Sequence, residues 1–457
     1  MRNFIRIRVL ACVFAVLGVL VTPVLLFAHA RLVRSVPPAG GWVNAPPSIL
    51  KLWFSEAPEL RFTTIALHDS AGTAISLGSA EAIPNEPMGV SAFVTAPMGV
   101  GRYTVEWRTA AADGHATTGK FSFIVTRAPT PTVTPGAEAA AGQAPSAIAT
   151  TTVVEPPQSG SQKAARWLEF VAILTLIGAV VFRLFVLPQA EWGNKLVDES
   201  ALRARSLAQM ALALFIIAAI MRLVIQSNLI PNATNERLAA ILATVSHTRW
   251  GRGWLVGGVG AVVALAGLLV ARSVHAGWIV AALGVLGICL GEALTGHAGA
   301  VARHTSIAVA ADLAHFLGAG GWMGGLAAVL RCGLPVLQGV DDDRARRNGS
   351  QLVRAYHKAA LECITLIVIS AAIALWLRLD AFDELWTTDY GRYVLIKFGV
   401  VLVALGFGWH HWRNVVIPEW DLDTASRFQR SAASELIVGA VIAAVTVGLV
   451  ATAIPMR

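Results

Sequence analysis

The sequence is short of charge. Lys, Arg, Asp and Glu make up 14% of its 457 residues, against 55% hydrophobic ones. A soluble domain carries roughly 25% charged residues, and the mean hydropathy of +0.62 agrees, so a single soluble globular enzyme is excluded. Cysteine is scarce too. Cys12, Cys289, Cys332 and Cys363 lie in or beside apolar segments and form no CxxC pair, which rules out a disulfide framework and argues against a thiolate zinc site. No GxxxxGK[ST] stretch occurs, so the chain carries no phosphate-binding loop for ATP-driven transport. Basic runs with interleaved aromatics are missing as well. The net charge of +8 is therefore to be tested as membrane topology rather than as a nucleic-acid footprint. No internal repeat is evident.

What is present divides the chain into four. Arg2, Arg6 and Arg8, an apolar stretch from Val9 and a small-residue end make residues 1–28 read as a secretory signal, with a retained anchor helix as the alternative. Cutting after Ala28 leaves His29 at the N-terminus, whereas cutting after Ala30 discards it; small-residue rules slightly favour the second. Residues 29–127 carry short β-branched and aromatic runs at Ile49–Phe54, Thr63–His68, Tyr103–Arg108 and Lys120–Thr126, separated by Pro, Gly and Asn turns. That pattern predicts a small all-β antiparallel sandwich of Greek-key type. Residues 128–163 are Pro, Ala, Thr, Ser and Gly and are expected to be a disordered linker spanning about 33 Å root-mean-square. Residues 164–457 are expected to form an all-α polytopic bundle.

That bundle rests on eight apolar segments near the ~20-residue length of a span, placed at about 167–187, 206–226, 253–271, 277–297, 306–330, 359–379, 392–412 and 432–453. If the β-domain is exported, the first helix runs inward. The inner loops then hold thirteen cations (Lys195, Arg203, Arg205, Arg272, Arg331, Arg344, Arg346, Arg347, Arg354, Lys358, Arg413, Arg427, Arg430) and the outer loops and tail five (Arg237, Arg249, Arg303, Arg392, Arg457). The positive-inside rule thus supports an exported β-domain and an exported C-terminus at the plasma membrane. Trp167, Trp250, Trp278 and Trp412 at segment ends suit an interfacial belt.

In the β-region, Asp113 and His115 are two apart, so in an extended segment both leave the same face and can converge on one ion. An N-terminal histidine would add an α-amine and a ring nitrogen, a nitrogen-rich set that Cu(II) prefers. The bland alternative for Asp-x-His is an exposed turn. The wider pattern weighs against it. His29-Ala-Arg-Leu-Val-Arg-Ser-Val-Pro-Pro-Ala-Gly, Leu52-Trp-Phe-Ser-Glu56, Tyr103-Thr-Val-Glu-Trp107, Ala112-Asp-Gly-His115 and Gly119-Lys-Phe-Ser-Phe resemble CopC, a family of periplasmic copper-binding β-barrel or sandwich proteins. The resemblance implies Cu(II) ligation by His29, Asp113 and His115, and favours cleavage before His29. Some relatives hold Cu(I) in a Met-rich segment. Only Met88 and Met98 occur here, so no separate Cu(I) site is expected, and His68 reads as an ordinary strand-end histidine.

Ionisable residues inside spans are costly and therefore suspicious. Gly296-His297-Ala298, His304, Asp312-Leu-Ala-His315 and Gly318-Ala-Gly-Gly-Trp322-Met-Gly-Gly325 form the densest cluster. Asp312 and His315 share one helix face, about 9 and 14 Å below an outer helix start near Ser306 at ~1.5 Å per residue. With His297 they could make a metal or proton relay; the alternative is polar glue between helices. Glu292, mid-segment, could extend the path inward or be a protonated carboxyl bonded to a neighbour. The glycine pairs 320/324 and 321/325 read as close helix packing. Arg183 and Arg222, near segment ends, are expected to snorkel; Lys358 and Glu362 could pair along a helix; Cys289 and Cys363 read as core. This region, together with Thr388-Asp-Tyr-Gly391-Arg-Tyr-Val-Leu-Ile-Lys397 and Glu435, resembles the CopD family of copper-resistance inner-membrane proteins. CopC fused ahead of CopD is a known arrangement. Where relatives often place Asn-Arg, this chain has His410-His411-Trp-Arg413-Asn414, read as interfacial.

The expectation is a non-enzymatic copper handler that captures Cu(II) outside and passes copper across the plasma membrane in copper homeostasis and resistance. His297, His304, Asp312, His315 and Glu292 are the candidate path. Copper ions and the lipid bilayer are the expected partners, with periplasmic or cytoplasmic copper chaperones and no nucleic acid. Two other classes remain: a haem-binding membrane oxidoreductase, which needs histidines facing each other at one depth, and a membrane-anchored copper-sequestering or sensing protein.

Overall fold

The computed structural model describes residues 32–55, 57–110, 116–127, 152–154, 159–228, 237–296, 305–338, 340–379, 381–411, 413 and 422–451. The expected signal at 1–28, and the cleavage question with it, lies outside these residues. So do His29, Asp113, His115, His297, His304 and Trp412.

The N-terminal part is a β-sandwich. One sheet has the order β1–β3–β7–β6, from Leu32–Val36 (β1), Ile49–Phe54 (β3), Glu86–Phe93 (β7) and Glu81–Ile83 (β6). The other runs β10–β9–β8–β4–β5, from Thr152–Val154 (β10), Ala116–Val125 (β9), Gly101–Ala110 (β8), Thr64–His68 (β4) and Ala74–Ile75 (β5), with Trp42–Val43 (β2) parallel to β9. Period-2 alternation builds the core: Leu50, Leu52 and Phe54 of β3 face Val105 and Trp107 of β8 and Phe121 and Phe123 of β9, all buried. Phe54 and Trp107 meet edge to face at 5.1 Å. Thr152–Val154, in the stretch expected as linker, pairs antiparallel with Lys120–Thr118.

Helices follow from Gly160. Ser159 and Gln162 form a capping box at the start of α1 (Gly160–Val181). Next come α2 (Asn194–Ser227), a short α3 (Arg237–His247), α4 (Arg249–Val270), α5 (Ala276–Thr295), α6 (Thr305–Ala319), α7 (Gly325–Ala328), α8 (Asp342–Arg378), α9 (Glu384–Thr387), α10 (Asp389–His411) and α11 (Leu422–Val450). Eight stretches among the described residues are long and apolar enough to cross a membrane: Gly160–Gln189, Asn194–Ser227, Arg249–Val270, Ala276–Thr295, Thr305–Leu337, Asp342–Arg378, Asp389–His410 and Ser426–Val450. Each overlaps one of the segments placed from sequence.

Glycine sets the closest contacts. Gly253, Gly260 and Gly267 of α4 and Gly277, Gly284 and Gly291 of α5 recur every seven residues, on the faces the two helices share. A Cβ on Gly284 would strike the backbone of Ala264, and one on Gly291 that of Gly257, so the backbones touch directly. Gly320 and Gly324 lie in a π-turn, Gly320–Gly324, between α6 and α7. There Gly324 packs on Gly178 and Leu174 of α1, and Gly321 faces Cys363 Sγ, which bears out the packing reading of the glycine pairs. Trp250 and Trp278 lie in the first turns of α4 and α5 and are buried against the protein at 3% and 2% exposure.

Candidate functional site

The strand ends that adjoin the candidate capture residues in sequence are among the described residues. The β8–β9 register closes on Thr109↔Thr117 and Ala110↔Ala116, from which the 111–115 segment springs. Leu32, three residues after His29, pairs with Phe54 at the end of β3. The polar groups buried here form a chain. Thr63 Oγ1 donates to the Glu59 carbonyl at 3.0 Å and lies 2.7 Å from Thr109 Oγ1. Since the single Thr63 proton is used on Glu59, Thr109 donates to Thr63. Thr117 is 2% exposed, and its hydroxyl has no hydrogen-bond partner among the described residues.

The same end touches the helices. Glu59 Oε1 accepts from the Arg249 backbone N–H at 3.2 Å. Arg249 opens α4, whose N-cap Thr248 accepts from Gly251 at 2.8 Å, so Glu59 satisfies a second of the helix's free N–H groups. Burial pushes the Glu59 carboxyl above its ordinary value, against the opposing pull of the Arg249 hydrogen bond and of the Arg249 and Arg252 charges.

Two ionic groups lie within the spans. In the first, the Arg222 guanidinium of α2 bridges Glu169 of α1 and Glu292 of α5; its Nη1 contacts Glu169 and stands 2.8 and 3.1 Å from the two Glu292 oxygens. Arg166 Nη2 lies 3.8 Å from Glu292, and the Trp250 ring centroid is 5.7 Å from Arg222. Two cations face two carboxylates, and all four side chains are at most 10% exposed. Arg222 therefore does not snorkel, as its position near a segment end had suggested. Two carboxylates hold it inside. Glu292 likewise has arginine partners, Arg222 and Arg166. A cavity of about 240 Å³, largely apolar, opens from this group between α2 and α4. Arg166 and Glu169, three apart in the first turns of α1, were the available sequence signal.

In the second group, Asp312 and His315 of α6 both turn to α8, as their i, i+3 spacing requires. Arg378 Nη2 stands 3.1 Å from Asp312 Oδ1, and its Nη1 donates to the Tyr390 hydroxyl at 3.4 Å. His315 Nδ1 is 3.1 Å from Ser370 Oγ, and the ring also faces the Ile367 backbone. Lys397 of α10 acts on both Asp312 and His315. Nothing in residues 306–330 announces Arg378 or Lys397, because both come from later helices. Among the described residues no three His, Cys, Asp or Glu side chains gather closely enough to hold a metal.

Other assignments resolve simply. Glu435 accepts from Trp322 Nε1 at 3.0 Å, and Tyr356 donates to the Trp322 carbonyl at 3.0 Å. No ion pair joins Lys358 to Glu362 among the described residues. Cys289 is buried core, His68 ends β4, and His410 is exposed on α10.

Three family comparisons align with this architecture. Residues 32–126 match the CopC domain, 160–305 the copper resistance protein D-like N-terminal domain, and 350–449 copper resistance protein D. The chain belongs to the CopC/CopD copper-resistance family. This CopC/CopD protein is 24% identical over 399 residues to "Copper transport protein CutJ" of Bacillus subtilis (strain 168), covering 84% of this chain and 68% of that one. It is 31% identical over 106 residues to "Protein YobA" of Escherichia coli (strain K12), 23% of this chain and 85% of that one. Among solved structures, CopC from Methylosinus trichosporium OB3b shares 30% identity over 22% of this chain and 95% of that chain, with a TM-score of 0.21. PcoC, a methionine-rich copper resistance protein from Escherichia coli, shares 29% over 22% and 100%, with a TM-score of 0.20. The molecule is thus a copper-related, multi-pass membrane protein with an N-terminal CopC-like sandwich.

Proposed function

We propose that the protein captures Cu(II) outside the plasma membrane with His29, Asp113 and His115 and passes copper inward through its spans, its β-domain and C-terminus both exported. The observation that carries this reading is the joining, in one chain, of a CopC domain to CopD spans with titratable side chains buried among the helices. An external capture domain favours inward movement, and the copper-transport name of the 84%-covering relative favours passage over storage. His297, His304, Asp312, His315 and Glu292 are the proposed path. Asp312 and Glu292 each hold an arginine, so either carboxylate becomes a ligand only when its guanidinium is displaced. His315 is held by Ser370 rather than by a charged partner, so no ion pair need break at its own ring for it to bind metal.

The test is cell-associated copper with the protein, without it, and with His315→Ala. The variant should match cells lacking the protein; equal accumulation in all three would refute transport. Copper affinity of the full chain should collapse in His29→Ala, and retained affinity would reassign the capture ligands.

A further inference from the structure

A carboxylate from one domain seated on the first N–H of a helix in another is a specific contact. Helix N-termini leave unpaired donors that favour negative groups, and α4 offers these with Arg249 and Arg252 beside them. Glu59 fills that position. Within the sandwich its backbone carbonyl is two hydrogen bonds from Thr109 of β8, through Thr63. On the helix side, Trp250 follows Arg249 and lies over Arg222, which holds Glu169 and Glu292. A continuous set of contacts thus runs from Thr109, four residues before Asp113 in sequence, to the ionic group among the spans.

We infer that this end of the β-domain is a docking surface for the outer end of α4, with Glu59 as its anchor, and that docking is the state in which copper is handed to the membrane domain. The hand-over part rests on the capture-and-passage reading above; the docking part does not. Glu59 acts by positioning and is not a metal ligand. The side-chain carbonyl of glutamine can accept the same hydrogen bond, whereas alanine cannot.

The experiment uses the full chain in lipid nanodiscs, cleared of native cysteine and spin-labelled at Ala71→Cys and Leu238→Cys, both exposed positions. Distances are read by double electron–electron resonance without copper. Wild type and Glu59→Gln should give one narrow distribution, and Glu59→Ala a broad one, with the docked-to-undocked ratio down about tenfold, the scale of one hydrogen bond to a charged group. Cu(II) affinity of Glu59→Ala should be unchanged while cellular copper accumulation falls and Glu59→Gln restores it. A narrow distribution in Glu59→Ala overturns docking. Lost Cu(II) affinity would place Glu59 in the metal site and also overturn the proposal. Accumulation unaffected by Glu59→Ala overturns the hand-over, and a wild type that accumulates no copper overturns the transport reading while leaving docking to be read from the distances.

Discussion

The two ionic groups among the spans differ in balance and in access. Around Arg222 two arginines meet two glutamates, each side chain at most 10% exposed. Around Asp312 one carboxylate faces Arg378 and Lys397, and it is 25% exposed. A closed, neutral group behaves as a lock: removing one member strands an opposite charge in a low-dielectric interior. The open group carries an excess positive charge, which opposes a bare cation beside His315 on the proposed path. The first group therefore reads as the fixed wall of the bundle and the second as its adjustable side.

The largest expected effect breaks the lock. Arg222→Ala leaves Glu169 and Glu292 unpaired and should cost about 3–5 kcal/mol, seen as a large fall in the thermal unfolding midpoint in detergent. Asp312→Asn should cost about 1 kcal/mol, since a partly exposed pair is worth little. Similar losses from the two would erase the distinction. A step smaller is Gly291→Val, which touches no charge. Its side chain would strike Gly257 and displace the adjacent Glu292, costing about 1–3 kcal/mol. Gly258→Val, where nothing lies within 4 Å of the added Cβ, should be neutral in the same melt.

The adjustable side is sharpened by function rather than stability. Ser370→Ala removes the group that fixes the His315 ring and should lower copper accumulation by about tenfold, the usual scale for losing a ligand's supporting hydrogen bond. Lys397→Gln removes the excess charge and should raise initial copper accumulation by a smaller factor. If both leave accumulation at the wild-type level, His315 is not on the path.

How far the sequence reached follows from the range of each signal. Hydropathy and strand alternation are local, and they place all eight spans and strands β3, β4, β8 and β9. The i, i+3 spacing of Asp312 and His315 correctly puts both on one face. Thr152–Val154 escapes because three residues in a Pro-rich stretch carry no periodicity, and their pairing with β9 is a tertiary fact. Arg222 was read as snorkelling because only its distance from a segment end was visible; its two carboxylates arrive from helices 53 and 70 residues away. Arg378 and Lys397 were invisible as partners of Asp312 for the same reason. The seven-residue glycine spacing in α4 and α5 was legible, yet a short period is easily lost in a segment that is apolar on every face.

The smallest expected effect concerns the titratable contact of Glu59 with the start of α4. Burial raises the Glu59 carboxyl above its ordinary value of 4.5; to the extent that docking supplies this burial, the docked state binds more proton than the undocked one. By linkage, that contribution to docking is fully present below pH 4.5 and is lost as pH rises through the raised value; at higher pH it is flat. The sign follows from desolvation outweighing the pull of Arg249 and Arg252; were the arginines to dominate, docking would instead weaken on acidification. Distance distributions of the copper-free, spin-labelled chain from about pH 4 to about pH 8 separate the two cases. The docked fraction should grow modestly towards acid in wild type and stay constant in Glu59→Gln, which keeps the hydrogen bond and has nothing to titrate. A slope that survives in Glu59→Gln would assign the pH dependence to a titratable group other than Glu59.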